Sequence, residues 1–155
     1  MLKEGTAAPE IEAELGDGTR FALSDYRGKS NVVLYFYPKD FTPGCTREAC
    51  SFRDNSADLE QLDAVVVGVS GDSAESHESF SAKHELPFPL IPDPEKKIIK
   101  QYEAIGFLGL TTARITYVID KEGIIRRAIR HDLAIGRHLE DTVAALRSIQ
   151  GVGAS

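Results

Sequence analysis

Apolar positions alternate through Ile11, Ala13 and Leu15, pause at Gly16-Asp17-Gly18, and resume at Phe21 and Leu23. A period of two on either side of a glycine turn predicts a β-hairpin over 11–23. Val32-Val33-Leu34-Tyr35-Phe36-Tyr37 is instead a continuous run of β-branched and aromatic residues. That pattern fits a central strand covered on both faces. Pro38 cannot donate to a sheet ladder and closes it.

From about 43 to 61, Ala49, Phe52, Leu59 and Leu62 mark the apolar face of a helix. Val65-Val66-Val67-Gly68-Val69 is a second buried strand. Ser73 is placed to cap a helix over roughly 74–85, before the segment Pro87-Phe88-Pro89. A short helix is expected near 95–103, after Pro94. Ile115–Ile119 and Ile124–Ile129 flank Asp120-Lys121-Glu122-Gly123 as a second hairpin, and an amphipathic helix over about 137–149 ends the pattern. Strands alternating with helices predict an α/β domain with a mixed central sheet. No internal repeat, low-complexity tract or linker interrupts it, so residues 1–155 read as a single domain.

Of the 155 residues, 42% are apolar and 27% charged, a globular composition. The net charge of −6 argues against a general nucleic-acid or anionic-membrane binder, without excluding a local basic site. Met1-Leu2-Lys3-Glu4 lacks the apolar region of a signal peptide, and no apolar run approaches the ~20 residues of a membrane span. Cytoplasmic residence is therefore expected. In a reducing compartment two cysteines make a poor structural staple. A transient, catalytic disulfide fits them better.

Those two cysteines are Cys45 and Cys50. Pro38-Lys39-Asp40-Phe41-Thr42-Pro43-Gly44-Cys45 joins a strand to a helix N-terminus, where open α/β sheets place their sites. Thr42 suits the cap, Pro43 the first helical position, and Gly44 a close backbone approach to a ligand. Cys45 then falls in the first turn, where free N–H groups and the helix dipole favour a thiolate. It is the expected attacking residue. On a regular helix, residues five apart have Cα atoms roughly 8.7 Å apart. A disulfide requires less than about 7 Å. The two sulfurs can therefore bond only if a turn of the helix unwinds. The plainer alternative is a pair of small buried hydrophobes, a common fate of free cysteine. A structural zinc site is weaker, because no four-ligand set is present.

Arg114 immediately precedes the strand 115–119. If that strand runs antiparallel to 32–37, its start lies beside the Cys45 loop, where a guanidinium would stabilise a thiolate. Taken alone, it reads more readily as a surface arginine at a strand entry. Pro38, Thr42, Cys45 and Arg114 together resemble the peroxiredoxin active site, Pro-x-x-x-Thr-x-x-Cys with a distant arginine. Tyr35-Phe36-Tyr37-Pro38-Lys39-Asp40 through Phe52-Arg53-Asp54 is similar to the branch called bacterioferritin comigratory protein or peroxiredoxin Q. That branch often carries a second cysteine at the position of Cys50. Arg114–Asp120 resembles its arginine-led strand. Tyr102–Ala113 departs from it, lacking the tryptophan pattern of many members and leaving that loop's role open.

The resemblance implies a thioredoxin-like fold with an N-terminal hairpin extension, and thiol-dependent reduction of hydrogen peroxide and organic hydroperoxides. Cys45 would attack the peroxide, with Thr42, Gly44 and Arg114 binding it and Pro38 shielding the nascent sulfenic acid. Cys50 would resolve that acid as an intramolecular disulfide, and thioredoxin or a similar dithiol would restore both thiols. No metal, flavin or haem is required. The branch includes monomers and dimers, and a monomer is expected here.

Other signals carry less. His77 and His84, near Glu75, Glu78 and Glu85, read as a solvated helix face rather than a metal site. His131 and His138 read as surface residues, and Arg47 and Glu48 as helix-surface charges. Phe107, Leu108 and Leu110 either form an exposed docking loop or join the core. Two other functions compete: a disulfide exchanger, disfavoured by the absence of Cys-x-x-Cys, and a redox sensor or thiol-bearing binding module.

Overall fold

The computed structural model describes residues 1–130 and 136–154. His131 and the side chain of Phe107 lie outside the described residues. The elements are β1 (Glu12–Glu14), β2 (Arg20–Ala22), β3 (Asn31–Phe36), α1 (Pro43–Asp54), α2 (Ser56–Gln61), β4 (Ala64–Ser70), α3 (Ala74–His84), β5 (Leu90–Pro92), α4 (Lys97–Gln101), β6 (Ile115–Ile119), β7 (Ile125–Arg130) and α5 (Gly136–Ala154). The main sheet has the order β5-β4-β3-β6-β7. β4 is parallel to both β3 and β5, whereas β6 is antiparallel to β3 and β7. β1 and β2 form a separate antiparallel hairpin, as their alternating pattern predicts.

All six residues of β3 are buried, which explains its unbroken apolar run. Val32, Leu34 and Phe36 pack with Ile11, Phe21, Ile99 and Tyr102 on the face covered by the hairpin and α4. Val33, Tyr35 and Tyr37 pack on the other face with Cys45, Phe52, Phe80 and Leu146 from α1, α3 and α5. Burying both faces of a strand requires helices or a hairpin on each side.

The helix expected over 43–61 is two helices, separated at Asn55, whose Nδ2 donates to the Ser51 carbonyl at 2.8 Å. The side chain takes over a backbone acceptor, and α1 stops there. Ser73 does cap α3, accepting from the Ser76 N–H at 3.1 Å. β5 carries no signal of its own in the sequence. Three residues are too few to show a period, and only pairing with Gly68–Ser70 of β4 defines them. Leu108 and Leu110 are each 75% exposed, so neither joins the core.

Candidate active site

The register that matters pairs Phe36 of β3 with Ile115 of β6. It brings the end of β3, the loop 37–42 and the start of α1 to the point where β6 begins. Arg114 therefore arrives beside Cys45, as the antiparallel arrangement requires. Its Nη2 lies 3.3 Å from Cys45 Sγ, and its Nη1 donates to Glu48 Oε1 at 2.8 Å. Cys45 is 1% exposed. Cys45 occupies the first turn of α1, and the first intrahelical bond runs from Thr46 N to Thr42 O at 2.9 Å. The N–H groups of Gly44 and Cys45 precede that bond and face the mouth of the helix.

Glu48 is not a surface charge. It is 1% exposed, and burial pushes its carboxyl up to about 7 against the opposing pull of Arg114. His138 of α5 is equally buried, with Nδ1 3.6 Å from Glu48 Oε2 and 2.8 Å from Thr116 Oγ1. Its expected surface position is thus overturned, because the inner face of α5 closes over β6. A signal for Glu48 existed. Cys45, Glu48, Ala49 and Phe52 fall at i, i+3, i+4 and i+7 and are the buried residues of α1.

Thr42 occupies the helix cap, but its hydroxyl does not cap the helix. It donates back to the Lys39 carbonyl at 2.8 Å, tightening the loop ahead of Cys45. Gly44 is half-buried in the first turn, and Pro38 is exposed just beyond β3. Phe41, between them, has a left-handed φ of 64°, which costs a bulky side chain free energy. Its ring packs against Phe80 of α3 at 5.1 Å and lies under Lys83, contacts that hold the loop in that conformation.

The same loop is pinned by a buried network centred on Asp40. Asp40 accepts from the Tyr37 hydroxyl at 2.6 Å and from Ser76 Oγ at 2.8 Å, and lies 2.7 Å from His77 Nδ1. Its backbone N–H donates to Asp72 at 2.8 Å. Burial opposes ionisation, yet the hydrogen bonds from His77 and Tyr37 hold the Asp40 carboxyl below the usual carboxylate range. His77 is accordingly no solvated residue. It is 3% exposed, and its Nε2 faces the Ile91 carbonyl at 3.1 Å. A carboxylate thus faces one ring nitrogen and a backbone carbonyl the other, which fixes the orientation of the ring. Sequence reasoning missed this because α3 alone does not reveal which residue of another loop meets it.

Cys50 is half-buried on the same helix as Cys45, and both thiols are free. Its Sγ lies 3.9 Å from His84 Nδ1, at the end of α3.

A mixed sheet presenting a buried cysteine at a helix mouth, within reach of an arginine fork, defines a thiol-dependent peroxidase of thioredoxin-like fold. The chain belongs to the AhpC/TSA family, whose model matches residues 5–128. It is 41% identical over 154 residues to peroxiredoxin Bcp of Bacillus subtilis, covering 96% of this chain and 97% of that protein. The crystal structure of peroxidoxin BcpB from Mycobacterium tuberculosis superposes with a TM-score of 0.89 at 32% identity, covering 96% of this chain and 99% of the other. A structure of the Xanthomonas campestris bacterioferritin comigratory protein, described for its alkyl peroxide reduction activity, superposes with a TM-score of 0.81. Its identity is 31%, with 89% of this chain and 90% of that one covered.

Proposed function

We propose that this single-domain enzyme reduces hydrogen peroxide and organic hydroperoxides through Cys45, with Cys50 as the resolving thiol. The observation that carries the reading is the 3.3 Å approach of Arg114 Nη2 to Cys45 Sγ in a site closed to bulk water. The guanidinium stabilises the thiolate and then the negative charge that develops on the departing oxygen. Cys45 sulfur attacks one peroxide oxygen, the O–O bond breaks, and the other oxygen leaves as water or alcohol. The N–H groups of Gly44 and Cys45 are free to donate to the peroxide. Thr42 has committed its proton to Lys39 O and meets the peroxide as an acceptor. Pro38, beyond the end of β3, screens the sulfenic acid from solvent.

Both cysteines lie on one unbroken helix, so resolution requires α1 to open locally before Cys45 and Cys50 join. Capture in a disulfide prevents over-oxidation to the sulfinic acid. Thioredoxin or a similar dithiol then restores both thiols. The alkyl peroxide activity of the Xanthomonas relative supports organic hydroperoxides as substrates. No helix among the described residues is long and apolar enough to cross a membrane. Separately from that, we take the enzyme to be a cytoplasmic monomer. A coupled assay with thioredoxin, thioredoxin reductase and NADPH tests the reading. Multiple turnovers with hydrogen peroxide and an alkyl hydroperoxide support it. A single stoichiometric oxidation, or fast insulin-disulfide reduction without peroxide loss, refutes it.

A further inference from the structure

The two ends of α1 are not equally held. At the C-terminal end, Phe52 is 1% exposed and packs against Tyr35 at 5.0 Å. The Arg53 Nη1 donates to the His84 carbonyl at 2.7 Å, tying this end to α3, and Asn55 closes onto Ser51. At the N-terminal end the cap makes no side-chain hydrogen bond to the helix, and the first turn contains Pro43 and Gly44. Cys45 is enclosed there, and an oxygen added to its sulfur crowds that enclosure. The turn that opens is therefore the first one. Cys45 travels, while Cys50 remains where the reduced structure puts it, against His84.

We propose that His84 is the general base for the resolving thiol; the proposal rests on the reading of Cys50 as the resolving residue. His84 Nδ1 lies 3.9 Å from Cys50 Sγ, a sulfur hydrogen-bond distance. The ring is fixed edge-on against Phe80 at 5.1 Å. In the tautomer with the proton on Nε2, Nδ1 accepts the thiol proton. The Cys50 thiolate attacks Cys45 Sγ, the S–S bond forms and the S–O bond breaks. The imidazolium returns its proton to the departing hydroxide, directly or through solvent, giving water. The Cys50 sulfur is oxidised and the sulfenic sulfur reduced, so the step balances without a further reagent. His84 is also the last residue of α3, so an imidazolium formed there faces the negative end of that helix. The charged groups around the pair are Arg53, with Asp54 and Glu85 in its field, and Lys83 over the Phe41 ring. None of them offers a neutral base to the sulfur.

The test follows the two steps separately in the full chain, by rapid quench with one equivalent of hydrogen peroxide, dimedone trapping and intact mass. In His84→Gln the loss of reduced Cys45 keeps its wild-type second-order rate. Disulfide formation slows by of order a hundredfold, the usual range for a lost general base. Its rate climbs with pH more steeply than in the wild type, as hydroxide takes over the proton. Added imidazole restores the rate in His84→Ala, which a purely packing role would not produce. Disulfide formation within twofold of wild type in both variants, or no response to imidazole, overturns the assignment of His84 alone. Failure of wild type itself to form the Cys45–Cys50 disulfide overturns the reading of Cys50 instead.

Discussion

Cys45 and Glu48 share one guanidinium: Arg114 reaches the sulfur with Nη2 at 3.3 Å and the carboxyl with Nη1 at 2.8 Å. A planar fork holds two neighbours in one fixed geometry, which an ammonium on a flexible stem with rotatable donors does not. Glu48 thereby fixes the orientation in which Arg114 faces the sulfur. Because both partners project from one face of α1, opening the first turn removes the sulfur from the fork and leaves Glu48 behind.

Arg114→Lys keeps a positive charge but loses the fork. Losing one positioned donor of developing charge costs roughly 10²–10³ in rate. The variant is expected to slow the first oxidation of Cys45 by roughly a hundredfold, the lower end of that range. Stopped-flow peroxide consumption checks this, with circular dichroism showing the helices intact. An unchanged rate at every pH removes Arg114 from the mechanism.

Glu48 gives a pH dependence with a definite sign. Its folded-state carboxyl binds a proton up to about pH 7, against an ordinary value of 4.5. A group whose folded value is raised stabilises the fold fully below its unfolded value, and that contribution is lost as pH rises to the folded one. Wild-type stability should therefore fall by a few kcal/mol at most between about pH 4.5 and 7. Glu48→Gln removes that slope, because it cannot ionise. Urea midpoints across this range, compared for the two proteins, decide it. Parallel profiles would assign the slope to another group.

Asp40→Ala strips the buried His77, Tyr37 and Ser76 of their common acceptor. Leaving a buried polar group without its hydrogen-bond partner costs about 1–3 kcal/mol, and three groups share this acceptor. The exposed pair Lys97–Glu95 is the control, because Glu95→Ala should cost no more than about 1 kcal/mol. The Asp40 variant should also slow Cys45 oxidation, since Phe41 and Thr42 lose their anchor to α3. Equal losses in the two variants would deny the clamp.

The strand and hairpin pattern, the loop before Cys45 and the approach of Arg114 were all legible in the chain. Each depends on local period or on one antiparallel pairing. His77 and His138 were not legible. Their burial is decided by Asp40 on a loop distant in sequence and by Glu48 on α1, which packs beside α5 on the same face of the sheet, and a polar residue carries no mark of its partner. Glu48 lies between these cases. Its place on the stripe with Cys45, Ala49 and Phe52 marks it as inward, but a buried carboxylate is credible only once Arg114 is beside it.

Cys50→Ser separates the two thiols. The first oxidation should keep its wild-type rate, while sulfenic acid accumulates and then passes to sulfinic acid under excess peroxide. Mass spectrometry of the quenched protein reads both products. If the variant loses the first step as completely as Cys45→Ser, Cys50 has been given the wrong role.

The most direct measurement adds one equivalent of hydrogen peroxide to reduced Cys50→Ser protein, traps with dimedone and maps the peptides. The account predicts one adduct, on the peptide carrying Cys45, formed as fast as peroxide disappears, and no peroxide loss in Cys45→Ser. An unmodified Cys45 sulfur while peroxide is still consumed would contradict it.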